Sequence, residues 1–123
     1  MPAKARTTPS LRIRIDYAAT HALGPGKVRL LELIEETGSI SAAGRALKMS
    51  YRRAWLLVEE LNGMFGEPVV VAQKGGGGGG GAQLTDAGRR VVKHYRHIEE
   101  CATSASSADL RALQRMLARA AGA

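Results

Sequence analysis

Aromatic side chains are scarce in this chain: one Trp, three Tyr and one Phe make up 4% of 123 residues. That scarcity argues against a binder of single-stranded nucleic acid, where successive bases stack on several exposed rings. Cysteine is scarcer. The one present, Cys101, excludes an intramolecular disulfide and suits a reducing compartment. No apolar run approaches the roughly 18 residues a membrane span needs. The N-terminal stretch MPAKARTTPSLRIRID also lacks the apolar core of a signal peptide. A soluble, cytoplasmic chain with no membrane contact is expected. Ser, His and Asp all occur, but nothing sets a nucleophile beside a base, so neither an enzyme nor a cofactor is expected.

Positive charge is what the chain has in excess. It carries 18 Lys and Arg against 11 Asp and Glu, a net charge of +7. Such a balance suits a polyanionic partner, without separating DNA from RNA or an anionic membrane. The length allows one domain with extensions. The imbalance is concentrated. Between Thr37 and Val58 there is no acid, while Arg45, Lys48, Arg52 and Arg53 lie in that interval.

The same interval predicts two short helices around a tight turn. Ser39 is placed to cap a helix from Ile40 to Leu47, and Ser50 to cap a second from Tyr51 to Phe65, because a serine oxygen accepts a free backbone N–H at a helix start. Ala42, Ala43 and Ala46 are small enough for close packing of the first helix on the second. On a helical wheel, Ala54, Leu57, Val58, Leu61, Met64 and Phe65 gather on one side, with Arg52 and Leu56 opposite and Tyr51 and Arg53 on the flanks. This is a helix-turn-helix pattern, in which the start of the second helix enters the major groove of duplex DNA. Arginine there can hold guanine bidentately. Ser39, Ser41, Lys48, Ser50, Tyr51, Arg52 and Arg53 are the expected DNA contacts on this corner, with Trp55 expected to pack on the first helix.

Around this corner the chain reads as follows. Residues 1–10, with two prolines and the cations Lys4 and Arg6, are an arm. Leu11 to Ile15 alternates apolar and basic, as a half-buried strand does. A helix is predicted from Gly24-Pro25-Gly26 to Thr37, stopped by Gly38 as a left-handed cap. Its Gly-Pro-Gly-Lys start lacks the order of a phosphate loop. Val69 to Gln73 and Ala82 to Thr85 read as two strands joined by Lys74 and seven glycines, Gly75, Gly76, Gly77, Gly78, Gly79, Gly80 and Gly81. Strand, loop and strand after a recognition helix make a wing. Its glycines would let the backbone approach phosphates, beside Lys74. Thr85 then caps a long helix whose Val91, Tyr95, Ile98 and Ala102 recur at helix-pairing spacings, so a homodimer is inferred through these residues. Thr103 to Ser107 weakens that helix before a second apolar stripe, Leu110, Leu113, Leu117 and Ala120. The fold class is therefore mainly α with a small β wing: a winged helix-turn-helix over residues 11–85 and a helical dimerisation segment over 86–123.

Thr37-Gly-Ser-Ile-Ser41, Ser50-Tyr-Arg-Arg-Ala-Trp55, the glycine tip, and Leu84-Thr85 followed by Gly88 resemble the N-terminal DNA-binding domain of the ModE kind of molybdate-responsive regulator. Two of these pieces are also similar to the winged-helix heads of LysR-type regulators. The resemblance implies that Ser50 to Arg53 read or flank base edges, that the glycine tip lies along the DNA backbone, and that genes of molybdenum or tungsten metabolism are controlled. In that family a separate C-terminal pair of small β-barrels binds the oxyanion. This chain ends at Ala123, so the resemblance implies a stand-alone DNA-binding version without molybdate or tungstate binding by that route. Two other readings stay open: a protein-interaction module with a vestigial helix-turn-helix, and a small oxyanion sensor. His94, His97 and Cys101 share a helix face, but their spacing is not that of a structural zinc site, and no metal is expected.

Overall fold

A computed structural model of the chain describes residues 9–19, 21–74 and 80–122. The elements are β1 (Ile15–Ala18), β2 (His21–Leu23), α1 (Pro25–Thr37), α2 (Ile40–Ala46), α3 (Tyr51–Met64), β3 (Val70–Lys74), β4 (Gly80–Leu84), α4 (Asp86–Ala105) and α5 (Ser107–Gly122). They divide into two compact units, Ile13–Tyr95 and a second formed by Met1–Arg12 with Arg96–Ala123. The expected arm up to residue 8, the glycines 75–79 and the Lys74 side chain lie outside the described residues.

The larger unit is built around α1. Val28, Leu30, Leu31, Leu33 and Ile34 of this helix are buried. Ala54, Val58 and Leu61 of α3, Val70 of β3, Ala82 and Leu84 of β4, and Tyr95 of α4 complete the cluster. β3 and β4 pair antiparallel with Val70 opposite Leu84 and Ala72 opposite Ala82, and Val70, Ala82 and Leu84 turn into the core. The mainly α fold with a β wing is thus as expected.

One expectation needs correction. The first strand begins at Ile15 rather than Leu11, and its partner is β2, which the sequence reading did not anticipate. Leu11, Ile13 and Ile15 are half-buried while Arg12 and Arg14 are exposed, so the alternation is real. Alternation reports one buried face, whereas a strand also needs a partner, and the partner starts only at His21. The larger unit extends into α4 as far as Tyr95, with Ala87, Gly88 and Tyr95 buried there. The serine-rich stretch, for which the sequence left a break and a continuous helix both open, interrupts the C-terminal helix at Ser106 alone. The Ser106 N–H and Oγ both donate to the Ala102 carbonyl, at 3.0 and 2.6 Å, and the Leu110 N–H reaches the Ser106 carbonyl at 2.9 Å. Helical hydrogen bonding therefore carries through the break. Among the described residues, no helix is long and apolar enough to cross a membrane.

One lock joins the wing to α4. Thr85 Oγ1 donates to the Pro68 carbonyl at 2.8 Å and accepts from the Gly88 N–H at 3.0 Å, while the Thr85 N–H donates to the Val69 carbonyl at 3.0 Å. A Cβ at Gly88 would stand 2.2 Å from the Val69 carbonyl oxygen. The Leu-Thr-x-x-Gly run is therefore a core leucine, a cap and a close approach of helix to strand. Gly88→Ala is expected to destabilise the protein by about 2 kcal/mol, because the cost of overpacking against backbone exceeds the gain in helix propensity of about 1 kcal/mol. Urea denaturation checks this, and an unchanged or raised midpoint would contradict it.

Candidate nucleic-acid interface

The corner between α1 and α3 is assembled from local caps. Gly38 closes α1 in the left-handed region at φ 69°, with its N–H on the Ile34 carbonyl at 2.8 Å. Ser39 Oγ accepts from the Ala42 N–H at 3.0 Å and starts α2. The Gly38 carbonyl takes the Ala82 N–H at 2.9 Å, fastening the wing to this corner. Gly81 belongs to the same contact: a Cβ there would lie 3.1 Å from the Gly38 carbonyl oxygen. Its small size thus serves packing at the base of the wing. The tight packing of α2 on α3 comes from Ala43 and Gly44, both buried, rather than from Ala46, which is exposed. A Cβ on Gly44 would stand 3.0 Å from that of Ala54. Lys48 turns the chain in the left-handed region at φ 59°. For a side-chain-bearing residue that costs roughly 1–2 kcal/mol. The Leu47 and Met49 N–H groups, each 3.0 Å from the Gly44 carbonyl, hold the turn against it.

Ser50 Oγ accepts from the Arg53 N–H at 3.1 Å and starts α3. Ala54, Val58 and Leu61 then face the core, so the opposite face of the first two turns is exposed: Tyr51, Arg52, Arg53, Trp55 and Leu56. Trp55 does not pack away on the first helix as expected; it is 43% exposed. With Tyr51, Ser39, Ser41 and Val71 it lines an open cleft of about 400 Å³ between α3, the start of α2 and the wing. Ser41 Oγ accepts from the Arg45 guanidinium at 3.0 Å.

Cations pair with acids on several sides of the molecule. Lys27 pairs with Glu60 and donates to the Ala22 carbonyl, so the amine beside Gly-Pro-Gly is occupied structurally. Arg29 pairs with Glu32 and Glu36, Arg89 with Glu35 and Asp86, and Arg90 with Glu67. The hydrogen bond and charge of Glu35 hold the Arg89 guanidinium above its ordinary pKa. Exposed pairs such as these contribute little to stability. Their larger effect is to cancel field on the sides that carry them. Among the described residues, Arg45, Lys48, Arg52 and Arg53 have no acidic partner.

Of the residues expected at a dimer contact, Tyr95 is withdrawn. It is 1% exposed in its own core and its hydroxyl donates to the Ile13 carbonyl at 2.7 Å. Val91 packs against that same core. Ile98 is exposed and Ala102 half-buried. Further along the chain, Cys101 Sγ lies 3.5 Å from His97 Nε2, and His94 is exposed. Among the described residues, no three potential metal ligands gather.

A capped corner, a recognition helix with its start exposed and an antiparallel hairpin behind it define a winged helix-turn-helix protein. In fold the chain is similar to the crystal structure of the CbnR_DBD-DNA complex, with a TM-score of 0.55 over 70% of this chain and 93% of that one, at 21% identity. Residues 26–89 match the model of the bacterial regulatory helix-turn-helix proteins of the lysR family, and the chain belongs to that family. It is 38% identical over 117 residues to the molybdenum transport protein ModE of Azotobacter vinelandii, covering 86% of this chain and 43% of the relative. It is 47% identical over 77 residues to the molybdenum-pterin-binding protein MopB of Rhodobacter capsulatus, covering 63% and 28%. With the transcriptional regulator ModE of Yersinia pestis the identity is 39% over 71 residues, covering 58% and 27%. The resemblance to the ModE kind drawn from the motifs is borne out. The chain spans less than half the length of these relatives.

Sequence reasoning missed Asn62. Its Oδ1 accepts from the Val69 and Val70 N–H groups at 2.8 and 3.0 Å, and its Nδ2 donates to the Val70 carbonyl at 3.2 Å. One side chain thus ties the last turn of α3 to the start of the wing. An Asn before a turn was the available signal, but its partners lie seven and eight residues on. Asn62→Ala strands three backbone groups and is expected to cost about 2–4 kcal/mol. Thermal unfolding measures the loss, and faster amide exchange of Val69 and Val70 than of the α1 core locates it at the wing.

Proposed function

We propose that the chain binds duplex DNA as a homodimer and regulates transcription, with α3 in the major groove. The observation that carries this reading is the exposed, capped start of α3, where Lys48, Arg52 and Arg53 project without acidic partners among the described residues. A guanidinium on the first turn reaches base edges and can take guanine O6 and N7 together. Arg45 and Lys48, on the turn and the helix before it, suit phosphates, as do the hydroxyls of Ser39 and Ser41. From their place in the sequence between β3 and β4, Lys74 and the glycines 75–81 are assigned the wing's contact with the DNA backbone. The role proposed is binding rather than catalysis, in the cytoplasm. Homology to proteins named for molybdenum transport and molybdenum-pterin binding supports control of molybdenum-related genes.

The dimer rests on the C-terminal unit. Ile98 of α4 and Leu113, Met116 and Leu117 of α5 are large apolar side chains left exposed. A second copy of the same helices would cover them, since helix pairs bury stripes at these spacings. Two-fold symmetry then dictates a palindromic site.

Two measurements test the reading. Arg52→Ala should weaken binding to a duplex selected from a random pool by about 10- to 100-fold, with the melting temperature unchanged. Wild-type affinity should also fall steeply with salt. Absence of duplex binding at low salt would end the proposal. For the dimer, Leu113→Asp together with Leu117→Asp should convert a dimer to a monomer in sedimentation equilibrium; a wild-type monomer at high concentration would remove that part.

A further inference from the structure

The exposed face of α3 holds more hydrocarbon than charge. Tyr51 is 58% exposed, Trp55 43% and Leu56 48%, and Val71 of the adjoining strand is 36% exposed in the same cleft as the two rings. Tyr51 and Trp55 stand one turn apart on one side of the helix, with Leu56 beside them. A helix that met its partner through hydrogen bonds alone would not leave three large apolar side chains in water over two turns. The strip is framed by Lys48, Arg52 and Arg53, which have no acidic partner among the described residues, so the occupant is a polyanion with an apolar feature at the same depth. Glu59, a further turn along and lining the cleft, sets a negative charge at the far end of the strip and limits the contact to the first two turns.

In the major groove one ordinary base edge is apolar: thymine, through its C5 methyl group. We propose that Tyr51, Trp55 and Leu56 select thymine in each half-site by packing on that methyl, while Arg52 supplies the polar part of the readout. This rests on the duplex-binding reading. The strip contributes discrimination by desolvating a methyl, which phosphate contacts cannot do because every nucleotide presents the same phosphate.

The test uses the full chain and a duplex selected by it from a random pool. Each thymidine is replaced in turn by deoxyuridine, which removes the methyl and keeps every hydrogen-bonding group. Fluorescence anisotropy is expected to show about fourfold weaker binding at one or more positions in each half-site, the value of one buried methyl. Trp55→Ala and Leu56→Ala, both at exposed positions, should bind the thymine and uracil duplexes alike, whereas Arg52→Ala should keep the methyl preference. Specific binding that ignores every methyl deletion overturns the proposal and leaves the strip to a protein partner. Methyl sensitivity that survives in both Trp55→Ala and Leu56→Ala overturns it too. Failure to select any duplex sinks the DNA reading itself, a separate outcome.

Discussion

The recognition corner depends on the approach of α2 to α3 at Gly44 and Ala54. The absence of a side chain at Gly44 lets the two backbones come together, with an added Cβ already at the limit of contact. That approach fixes the crossing of the two helices, and the crossing decides which face of α3 is turned outward. The buried row Ala54, Val58 and Leu61 then orients the helix about its own axis. Two groups tie its far end: Asn62 to the wing, and Glu60 to Lys27 of α1. The exposed start is therefore the free end of a rod gripped along half its length. Preorganisation of this kind reduces the ordering cost of binding.

Electrostatics reinforces that geometry by subtraction. The acids lie on β1, α1, late α3 and the later segments, where most pair with nearby cations. None lies between Thr37 and Val58. That interval carries +4 of the chain's net charge of +7. At physiological salt, fields from exposed charges fade beyond about 8 Å, so local concentration matters more than the total. Lys48 shows both sides of this arrangement. It occupies a left-handed turn position that glycine or asparagine would fill with less strain, yet it puts a cation at the head of α3.

The sequence was legible wherever a feature is decided within a few residues. Ser39, Ser50 and Thr85 cap the helices assigned to them, and Gly38 ends α1, because a cap and its partner lie within one turn. The apolar row of α3 was equally plain from its period. Legibility failed where the deciding partner is remote. The strand at Ile15 needed β2, Tyr95 needed the Ile13 carbonyl, and Asn62 needed the turn into β3. Tyr95 is the clearest instance. Its spacing fits a stripe for helix pairing and equally fits a core contact, and a period cannot say which surface covers a stripe.

Trp55 carries the same lesson into function. By composition it belongs inside, and burying an indole is worth several kcal/mol. The residues around it on α3 that do go inside are smaller, Ala54 and Val58, and they fill the space against α2 and α1. A bulkier side chain at Ala54 would have to part the helices at Gly44. The packing that makes the corner tight thus expels the largest ring in the chain onto the surface with the free arginines. Core constraint and recognition surface are two faces of one helix, and the first determines what the second can present.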